Sequence, residues 1–400
     1  MLIENKLFEN KADCCGCGAC FNICPQQAIY IETDEYGYLF PNIIKEKCIL
    51  CGLCEKVCPM NAEVKLHKSY KAYAASLKDE GVKEKSASGG VFAGIARNIL
   101  CQNGVIYGAA YGENQYVHHI GISREQDLAK LQDSKYVQSD MENIYIDIKK
   151  QLLRGNKVLF SGTPCQVSAL KLFLRKDYEN LFTIDLICHG VPSYRLFFEG
   201  IHLVINKGEQ IKSVSFRNKS TGWGTDGYIQ TNKKKYKFDE SKSSYYYYFL
   251  RSTLYRDSCY KCKYATDKRP GDITIGDYWR IETAHPKFRK LIDERGGVSC
   301  VLINSRKGEK LFDDNKDAFV FIESSVNAVV ERNGRLNKDN SFQVPKERKE
   351  LLDIYKNKGY LYLNKYWIKK SRKERCVIKI KEIVRPMYKM MRDIILLIER

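Results

Sequence analysis

Two cysteine runs with one shared spacing, C-x2-C-x2-C-x3-C-P, are the residues of this 400-residue chain with the clearest chemistry. Three thiolates at this spacing can surround one [4Fe-4S] cube, and the fourth cysteine of each run binds the cluster of the other run. The spacing therefore predicts two clusters that accept and release single electrons. The predicted ligand sets are crossed, with Cys14, Cys17, Cys20 and Cys58 around one cluster and Cys48, Cys51, Cys54 and Cys24 around the other.

Zinc knuckles and disulfides also use closely spaced cysteines, and they are the alternatives to this interpretation. Neither of them needs three cysteines at this spacing, followed by Cys-Pro and repeated once. Cys15 adjoins the first run, but only Cys14 keeps the spacing that lets one loop surround a cube. We therefore interpret Cys15 as a bystander.

A further group of cysteines lies in the middle of the chain. Cys259 and Cys262 form a lone C-x2-C pair, which offers only two ligands. Cys165 and Cys188 each follow a strand-like run, and they are the natural candidates to complete four thiolates. We predict a third iron-sulfur cluster at these four residues. A zinc site and unrelated buried cysteines stay open as alternatives, because spacing determines the number of ligands better than the identity of the metal.

The elements that position Cys165 and Cys188 follow a strand, turn and helix pattern. Buried strands are predicted at 157–161 and 182–187, and helical periodicity follows them at 166–174 and 194–204. Two such units in succession predict parallel strands. Ligands of parallel sheets bind beyond the carboxyl ends of the strands, which is where these two cysteines lie.

Other stretches of the first hundred residues also have regular patterns. Strand-like stretches at 28–32 and 63–66 follow the two cysteine runs and predict a compact repeat with pseudo-two-fold symmetry. A strand at 72–76, a small-residue loop at 86–90 and a helix at 91–100 then begin a new domain. A glycine-rich turn before a helix presents free N–H groups to a phosphate. An ordinary tight turn is the alternative.

Several polar and aromatic residues are candidates for the chemistry next to the clusters. Asp272 and Asp277 belong to two Gly-Asp steps that bracket a strand, and they either bind a ribityl or ribose hydroxyl or cap turns. His189 is a candidate proton donor because histidine titrates near neutrality, with turn capping as the alternative. Arg217, Lys219 and Trp223 are candidates to cover an anionic substrate. The aromatic run 245–248 is a candidate to stack on a flat ring. A purely structural role is the alternative for all of them.

Composition limits the class of protein and its surroundings. A chain of 400 residues suits two or three domains, and 16 cysteines, mostly at metal-like spacings, suit a reducing cytoplasm. The start of the chain lacks the basic and apolar parts of a signal peptide. The net charge is +19, whereas residues 1–66 carry six lysines and no arginine against nine acidic residues. A basic body attracts acidic redox proteins, phosphorylated cofactors, nucleic acid or anionic lipid, and charge does not choose among them.

The last part of the chain predicts a basic amphipathic helix. Residues 365–400 contain 12 basic against 4 acidic residues, and apolar side chains recur at helical spacing from Ile380 to Ile398. Two placements stay open for residues 376–398. One is an anionic membrane surface, peripherally on the inner face of the membrane, and the other is docking against protein.

Six motifs occur in a fixed order between about residues 68 and 320. Together they resemble the coenzyme F420 hydrogenase/dehydrogenase beta-subunit family. The resemblance implies an FAD-containing iron-sulfur oxidoreductase, in which the flavin joins one-electron clusters to a two-electron carrier or substrate. The motifs are Ser88-Gly89-Gly90, Gly162-Thr163-Pro164-Cys165-Gln166, Cys188-His189-Gly190-Val191-Pro192, 216–219 with Gly222-Trp223, Cys259-x2-Cys262 and the block 271–279.

The resemblance also implies a substrate class and a set of site residues. Members with a fused two-cluster N-terminus and a basic extension resemble those of bacterial surface-polysaccharide loci, so the substrate is open between coenzyme F420 and a sugar or other metabolite. The catalytic candidate is His189. The expected cofactor-binding residues are Ser88, Gly89, Gly90, Gly162, Thr163, Asp272 and Asp277.

The expected fold combines α+β and α/β parts: a small two-cluster ferredoxin-like domain, an α/β body with a largely parallel or mixed sheet, and a basic helical extension. The leading function is an oxidoreductase that exchanges electrons with ferredoxin or another redox protein and acts on a small molecule. A relay subunit without its own substrate is the alternative, and nucleic acid is not expected as a partner because both cysteine runs would then lack a role. The expected domains are 1–66 (ferredoxin), 68–150 (N-terminal part of the beta-subunit homology, with the glycine-rich loop), 151–330 (C-terminal part of the same homology, with the cluster and flavin sites) and 331–400 (basic helical tail).

Overall fold

The computed structural model describes residues 7–220, 222–286, 291, 294–337, 343–370, 384 and 391. Its helices are α1 Ala19–Ile23, α2 Leu53–Lys56, α3 Glu80–Glu84, α4 Val91–Cys101, α5 Ile144–Leu153, α6 Pro164–Leu174, α7 Tyr194–His202, α8 Ser244–Leu250, α9 Asp257–Tyr260, α10 Ile281–Ala284, α11 Arg306–Asp313, α12 Val326–Arg332, α13 Arg348–Lys358 and α14 Tyr360–Lys369. Its strands are β1 Ile29–Thr33, β2 Leu39–Ile43, β3 His67–Lys68, β4 Lys71–Leu77, β5 Val105–Tyr111, β6 Val117–Ile122, β7 Val158–Gly162, β8 Leu181–Leu186, β9 Ile211–Ser215, β10 Gly227–Thr231, β11 Lys235–Phe238, β12 Lys268–Arg269, β13 Ile273–Asp277, β14 Ser299–Ile303 and β15 Phe319–Ser324.

An eight-stranded mixed sheet forms the centre of the body, in the order β15-β4-β14-β13-β8-β7-β5-β6. Its middle strands β13, β8, β7 and β5 are parallel, and the outer strands join them antiparallel. The predicted parallel pairing of the two strand-turn-helix units is thereby confirmed, because β7 and β8 pair parallel. The carboxyl ends of the four parallel strands consequently meet at one edge of the sheet.

Both faces of this sheet are covered, because successive side chains of a strand point to opposite faces. On β4, Tyr73 and Ala75 pack into a core with α4 and α11, whereas Ala72 and Ala74 pack into a second core with α10 and α12. A third core, built from α5, α6 and strand β7, lies against the sheet near the first cysteine loop. The predicted α/β body with a mixed sheet is confirmed.

The N-terminal domain differs in one respect from the predicted repeat. Strand β1 pairs antiparallel with β2, which precedes the second cysteine run. The stretch 63–66 is not a strand, and the neighbouring β3 pairs with β12 of the body instead. The prediction of a strand after each run is therefore wrong for the second run, because the chain there leaves the small domain and joins the body.

The polypeptide after residue 343 completes the core of the body. Helices α13 and α14 bury Leu351, Leu363 and Trp367 against the aromatic run 245–248, next to the three-stranded sheet of β9, β10 and β11. Most of the predicted amphipathic segment 376–398 lies outside the described residues. In the described part of the chain, no helix is both long enough and apolar enough to cross a membrane.

Candidate functional site

The eight cysteines of the two N-terminal runs line two separate hollows. The inner hollow, next to the body, contains Cys14, Cys17, Cys20 and Cys58 in its lining. The lining of the outer hollow contains Cys24, Cys48, Cys51 and Cys54. Each fourth cysteine thus lies with the first three cysteines of the other run, as the crossed ligand sets require, and the assignment of each thiol to iron stays a prediction. We call these hollows the inner and the outer cluster site.

Burial affects the protonation of the thiols at both sites. Within the described ranges, no group of three or more His, Cys, Asp or Glu side chains is placed to hold one metal ion. Burial raises the pKa of Cys20, Cys54 and Cys58, so these thiols need a bound cation to exist as thiolates.

A central cavity of about 330 Å³ lies at the carboxyl ends of the parallel strands. Gly162 ends β7, Asp277 ends β13, and Cys188 follows β8; all three line the cavity. The volume lies at the lower end of the range for small-molecule sites. The fold therefore places this cavity at the edge where parallel sheets bind their ligands.

The four cysteines of the body come together in this cavity. Cys165 lies in the first turn of α6, Cys188 follows β8, Cys259 belongs to α9, and Cys262 follows that helix; all four line the cavity. Burial raises the pKa of the Cys188 thiol to about 12 and also raises the pKa of Cys259 and Cys262. Four partly buried thiols therefore lie in one neighbourhood of the cavity, and thiolate is a ligand type that soft metals prefer.

Cys15, interpreted from the sequence as a bystander, lies between the inner cluster site and the central cavity. It lines both of them. Its side chain is hydrogen-bonded to Cys165, and this bond, together with burial, raises the pKa of Cys165. The doubled Cys14-Cys15 was the available sequence signal, but only the packing of the two domains shows what Cys15 contacts.

Two of the three residues of the predicted Ser88-Gly89-Gly90 motif line the cavity. Gly90 caps α4 with φ of 81°, a left-handed conformation that favours glycine, and Ser88 and Gly90 line the cavity. Gly89 has a different role: a Cβ atom on it would lie 2.3 Å from the carbonyl oxygen of Ala75 and 2.7 Å from the nitrogen of Ser299. Gly89 therefore lets the loop pack against the sheet.

A second helix N-terminus opens on the same cavity. Gly162 and Thr163 line it just before α6, and Thr163 forms a capping box with Gln166. Pro164 occupies the first turn, where a missing N–H costs nothing. The N-termini of α4 and α6 therefore both present the positive end of a helix dipole to one cavity.

The two aspartates of the Gly-Asp block are placed differently. Asp277 lines the cavity, and its carboxylate accepts hydrogen bonds from Arg217 at 2.7 and 3.2 Å and from the Trp223 indole at 3.2 Å. Asp272 is buried outside the cavity lining. Its oxygens accept bonds from the Thr183 nitrogen and hydroxyl at 2.9 and 2.6 Å and from the Ser305 hydroxyl at 2.7 Å. Asp272 thus joins strands of the sheet.

His189 lines the cavity, but its expected titration near neutrality is wrong. Burial, followed by the charge of Arg335, lowers the pKa of His189 to about 4. The ring is therefore neutral at pH 7. Arg335 donates to the carbonyl oxygens of Cys188 and His189, so it holds this turn at the edge of the cavity.

The other candidates from the sequence serve mainly to build the walls. The guanidinium of Arg217 donates hydrogen bonds to the Asp277 carboxylate, to the Gly224 carbonyl at 2.5 Å and to the Tyr136 hydroxyl at 3.2 Å. These groups of the fold occupy its donors. Trp223 stacks on Trp279 with ring centroids 4.5 Å apart, and Trp279 lines the cavity. The four tyrosines of the run 245–248 are all buried in the core, and none lines the cavity.

Basic residues that the sequence did not single out also line the cavity. They include Lys135 and Lys263 as well as Arg335. Burial lowers the pKa of Lys135 to about 8, and its ammonium donates to the Gln132 carbonyl at 2.5 Å and to the Lys130 carbonyl at 3.0 Å. No periodic pattern marks these lysines in the sequence, because their burial depends on loops that meet only in the folded chain.

Comparisons with known proteins match two parts of the chain. Residues 155–328 match the family described as the C terminus of the coenzyme F420 hydrogenase/dehydrogenase beta subunit, and residues 13–62 match the 4Fe-4S dicluster domain. No curated protein matches the sequence significantly. A solved structure of the F420-reducing [NiFe] hydrogenase complex from Methanosarcina barkeri contains a similar chain, with 16% identity, a TM-score of 0.47, and coverage of 73% of this chain and 95% of that one. The chain thus contains a 4Fe-4S dicluster domain and a segment that matches the F420 hydrogenase/dehydrogenase beta-subunit family, which relates it to iron-sulfur oxidoreductases.

Proposed function

We propose that this protein is an iron-sulfur flavoprotein that moves electrons between a one-electron redox protein and a small molecule. The observation that carries the proposal is the central cavity, which collects four partly buried cysteines and two helix N-termini and shares Cys15 with the inner cluster site. The clusters of residues 13–62 would therefore lie next to the place where a cofactor fits. Ferredoxin or another carrier of single electrons is the proposed partner.

The body cysteines support a third [4Fe-4S] cluster. Cys165, Cys188, Cys259 and Cys262 supply four thiols to one neighbourhood, which is the number that a cluster requires. Arg335 lies beside three of these thiols and contributes a positive charge that would offset the negative charge of four thiolates. A zinc ion would use the same ligands, so metal analysis has to separate the two.

The rest of the cavity supports FAD. The N-termini of α4 and α6 suit a pyrophosphate, with Ser88, Gly90, Gly162 and Thr163 as the residues that would hold it. Lys135 adds a positive charge to the same lining. A bound flavin would supply the exchange between single electrons and electron pairs.

The substrate, either a molecule with a flat ring system or a sugar, would bind beside the flavin. The wall formed by Trp279 on Trp223 offers an aromatic surface for such a ligand. His189, neutral at pH 7, lies in the same lining and is the proposed residue to hold a proton next to the substrate. Coenzyme F420 and a nucleotide sugar of polysaccharide biosynthesis are the two substrate classes to test.

Anaerobic purification of the full chain, with iron, sulfide, zinc and flavin analysis, tests the proposal. We expect about twelve irons per chain, four for each set of four cysteines, and one FAD. About eight irons would exclude the third cluster, and eight irons with one zinc would assign the body site to zinc. Iron without flavin would instead support a relay subunit that passes electrons to another protein.

Turnover assays then separate the substrate classes. Reduced ferredoxin is supplied anaerobically with coenzyme F420 or with a panel of nucleotide sugars, and oxidation of the ferredoxin is followed by absorbance. Oxidation that depends on one of these compounds identifies its class. A flavin-loaded protein that oxidises ferredoxin with none of them, and transfers electrons only to an added protein acceptor, would contradict a substrate site in this chain.

A further inference from the structure

Arg256 is a buried cation at the junction of the N-terminal domain and the body. Its side chain is 1% exposed. Its Nε donates to the carbonyl oxygen of Cys14 at 2.5 Å, and its Nη1 donates to Oε1 of Gln138 at 3.2 Å. The guanidinium also lies over the ring of Phe40, 4.0 Å from its centroid. Arg256 thus joins a residue of the first cysteine loop to the body.

The positive charge of Arg256 has no carboxylate partner among the described residues. Both of its hydrogen-bond acceptors, a carbonyl oxygen and an amide oxygen, are neutral. The third nitrogen, Nη2, is buried and has no hydrogen-bond partner in the described part of the chain. A buried guanidinium in this state is costly unless a negative charge lies nearby.

The nearest candidate for that negative charge is the inner cluster site. A Cβ atom on Gly16 would lie 3.0 Å from Nη1 of Arg256, so the guanidinium packs directly against the loop that carries Cys14 and Cys17. Four thiolates make a bound [4Fe-4S] cluster anionic, and each electron that it accepts adds one negative charge. The orphaned cation and the anionic cluster would therefore neutralise each other.

We propose that Arg256 raises the reduction potential of the inner cluster and so directs electrons inward from the outer cluster. The step is the transfer of one electron from a one-electron donor, such as reduced ferredoxin, through the outer cluster to the inner one, without any bond change. A cation beside the inner cluster stabilises its reduced form more than its oxidised form, because the reduced form is more negative. The inward direction rests on the proposed function, whereas the effect on potential needs only the two N-terminal clusters.

The inner cluster site is less exposed to solvent than the outer one, and this difference explains why the inner site needs the charge of Arg256. Cys51 of the outer site is exposed, and its neighbours Ile49 and Leu50 are 60% and 52% exposed. No cysteine of the inner set is exposed. Burial by itself disfavours added negative charge and would make the inner cluster harder to reduce than the outer one. The charge of Arg256 offsets this cost of adding an electron, and little solvent is present at the inner site to screen that charge.

The test is an EPR-monitored redox titration of the anaerobically purified full chain and its Arg256→Gln variant, with dithionite as reductant. We expect the inner cluster of the variant to be at least about tenfold harder to reduce, which is about 59 mV for one electron. The potential of the outer cluster should stay the same. Arg256→Lys keeps the charge and should restore most of the inner potential, which a purely structural role would not explain.

A second variant covers the outcome in which Arg256→Gln loses iron. Gln138→Glu keeps Arg256 in place and puts a carboxylate against its Nη1, so it should also lower the potential of the inner cluster. An inner potential that is unchanged in a variant with its full iron content overturns the inference. Absence of flavin or of the third cluster would refute the proposed function and leave this comparison of the inner and outer clusters intact.

Discussion

Single residues of one motif have separate roles in this protein. Asp277 faces the central cavity, whereas Asp272, five residues earlier on the same block, binds Thr183 and Ser305 inside the fold. Cys14 lines the inner cluster site but not the central cavity, whereas the adjacent Cys15 lines both. The chemistry of a residue type was therefore predictable at each position, but its partner was not, because the partner comes from a distant part of the chain.

Replacing Cys262 by serine tests the body cluster at the level of one ligand. The variant should contain about eight irons per chain instead of about twelve, because one set of four thiolates is incomplete while the N-terminal sets are intact. The exposed Cys101 provides the matched control, and Cys101→Ser should keep all of its iron. Equal iron contents in the wild type and Cys262→Ser would refute the ligand assignment.

Lys219 predicts a pH dependence of stability. Its ammonium donates to the carbonyl oxygens of Ser88 and Lys83, and burial lowers its pKa to about 7, against about 10.4 for a free lysine. Between these pH values the unfolded chain binds more protons at this site than the folded chain does, so this residue makes stability rise with pH from about 7 to 10. Below pH 7 the folded protein bears the full free-energy cost of burying the charged Lys219 side chain.

The measurement is the urea midpoint of the holoprotein at pH 7, 8 and 9. Lys219→Met should show a weaker rise of the midpoint with pH than the wild type does, because the buried site no longer titrates. Lys233→Met removes an exposed lysine and should leave the slope unchanged. Identical slopes for all three proteins would mean that Lys219 is not buried as described.

Secondary-structure elements position the site through their ends. Helix α4 begins just after Gly90 and α6 begins just after Thr163, so two N-termini face one cavity at the edge of the parallel strands. The periodicity of the sequence predicted these helices and strands within a few residues. It did not predict that β3 pairs with β12, because a two-residue strand has no periodicity to detect.

Gly89→Ala tests how the loop before α4 is held. The added methyl group would lie 2.3 Å from a backbone oxygen of β4, and backbone atoms cannot move away cheaply. We expect a loss of about 1–3 kcal/mol of stability, typical of overpacking, and weaker retention of flavin. Gly81→Ala is the control, since its methyl group would meet its nearest neighbour at an ordinary 3.6 Å. A Gly89→Ala protein with wild-type stability and flavin content would contradict the close packing.

At the scale of the whole molecule, the N-terminal domain and the body share a polar interface. Tyr145 donates to the carbonyl oxygen of Cys17 at 2.9 Å, Asn22 donates to that of Glu142 at 2.6 Å, and Tyr38 donates to that of Leu254 at 2.9 Å. These bonds connect the loop and the hairpin of the small domain to the body. The inner cluster site is consequently held next to the central cavity, as the proposed electron transfer between them requires.

The last two described helices, α13 and α14, pack into the hydrophobic core of the body. Trp367→Ala tests their contribution to its stability. Trp367 is 5% exposed and packs beside Tyr247, with ring centroids 6.1 Å apart. Truncation should cost about 3–5 kcal/mol and lower the thermal midpoint of the holoprotein. Tyr362→Ala removes a half-exposed ring of the same helix and should have a much smaller effect. Equal midpoints for both variants would show that α14 is not part of the core.

The sequence alone determined the chemistry of the two N-terminal clusters, the strand-turn-helix units and the residue types of the body site. These properties depend on local spacing and periodicity, which a chain carries before it folds. Only the tertiary structure decided that four body cysteines share one cavity, that Cys15 lies between two sites and that Arg256 is buried with one nitrogen unbonded among the described residues. Burial and charge pairing arise from residues far apart in the chain, so spacing does not encode them. The twin cysteine runs therefore predicted an electron carrier, and the packing of the body against them is the basis of the proposed electron route.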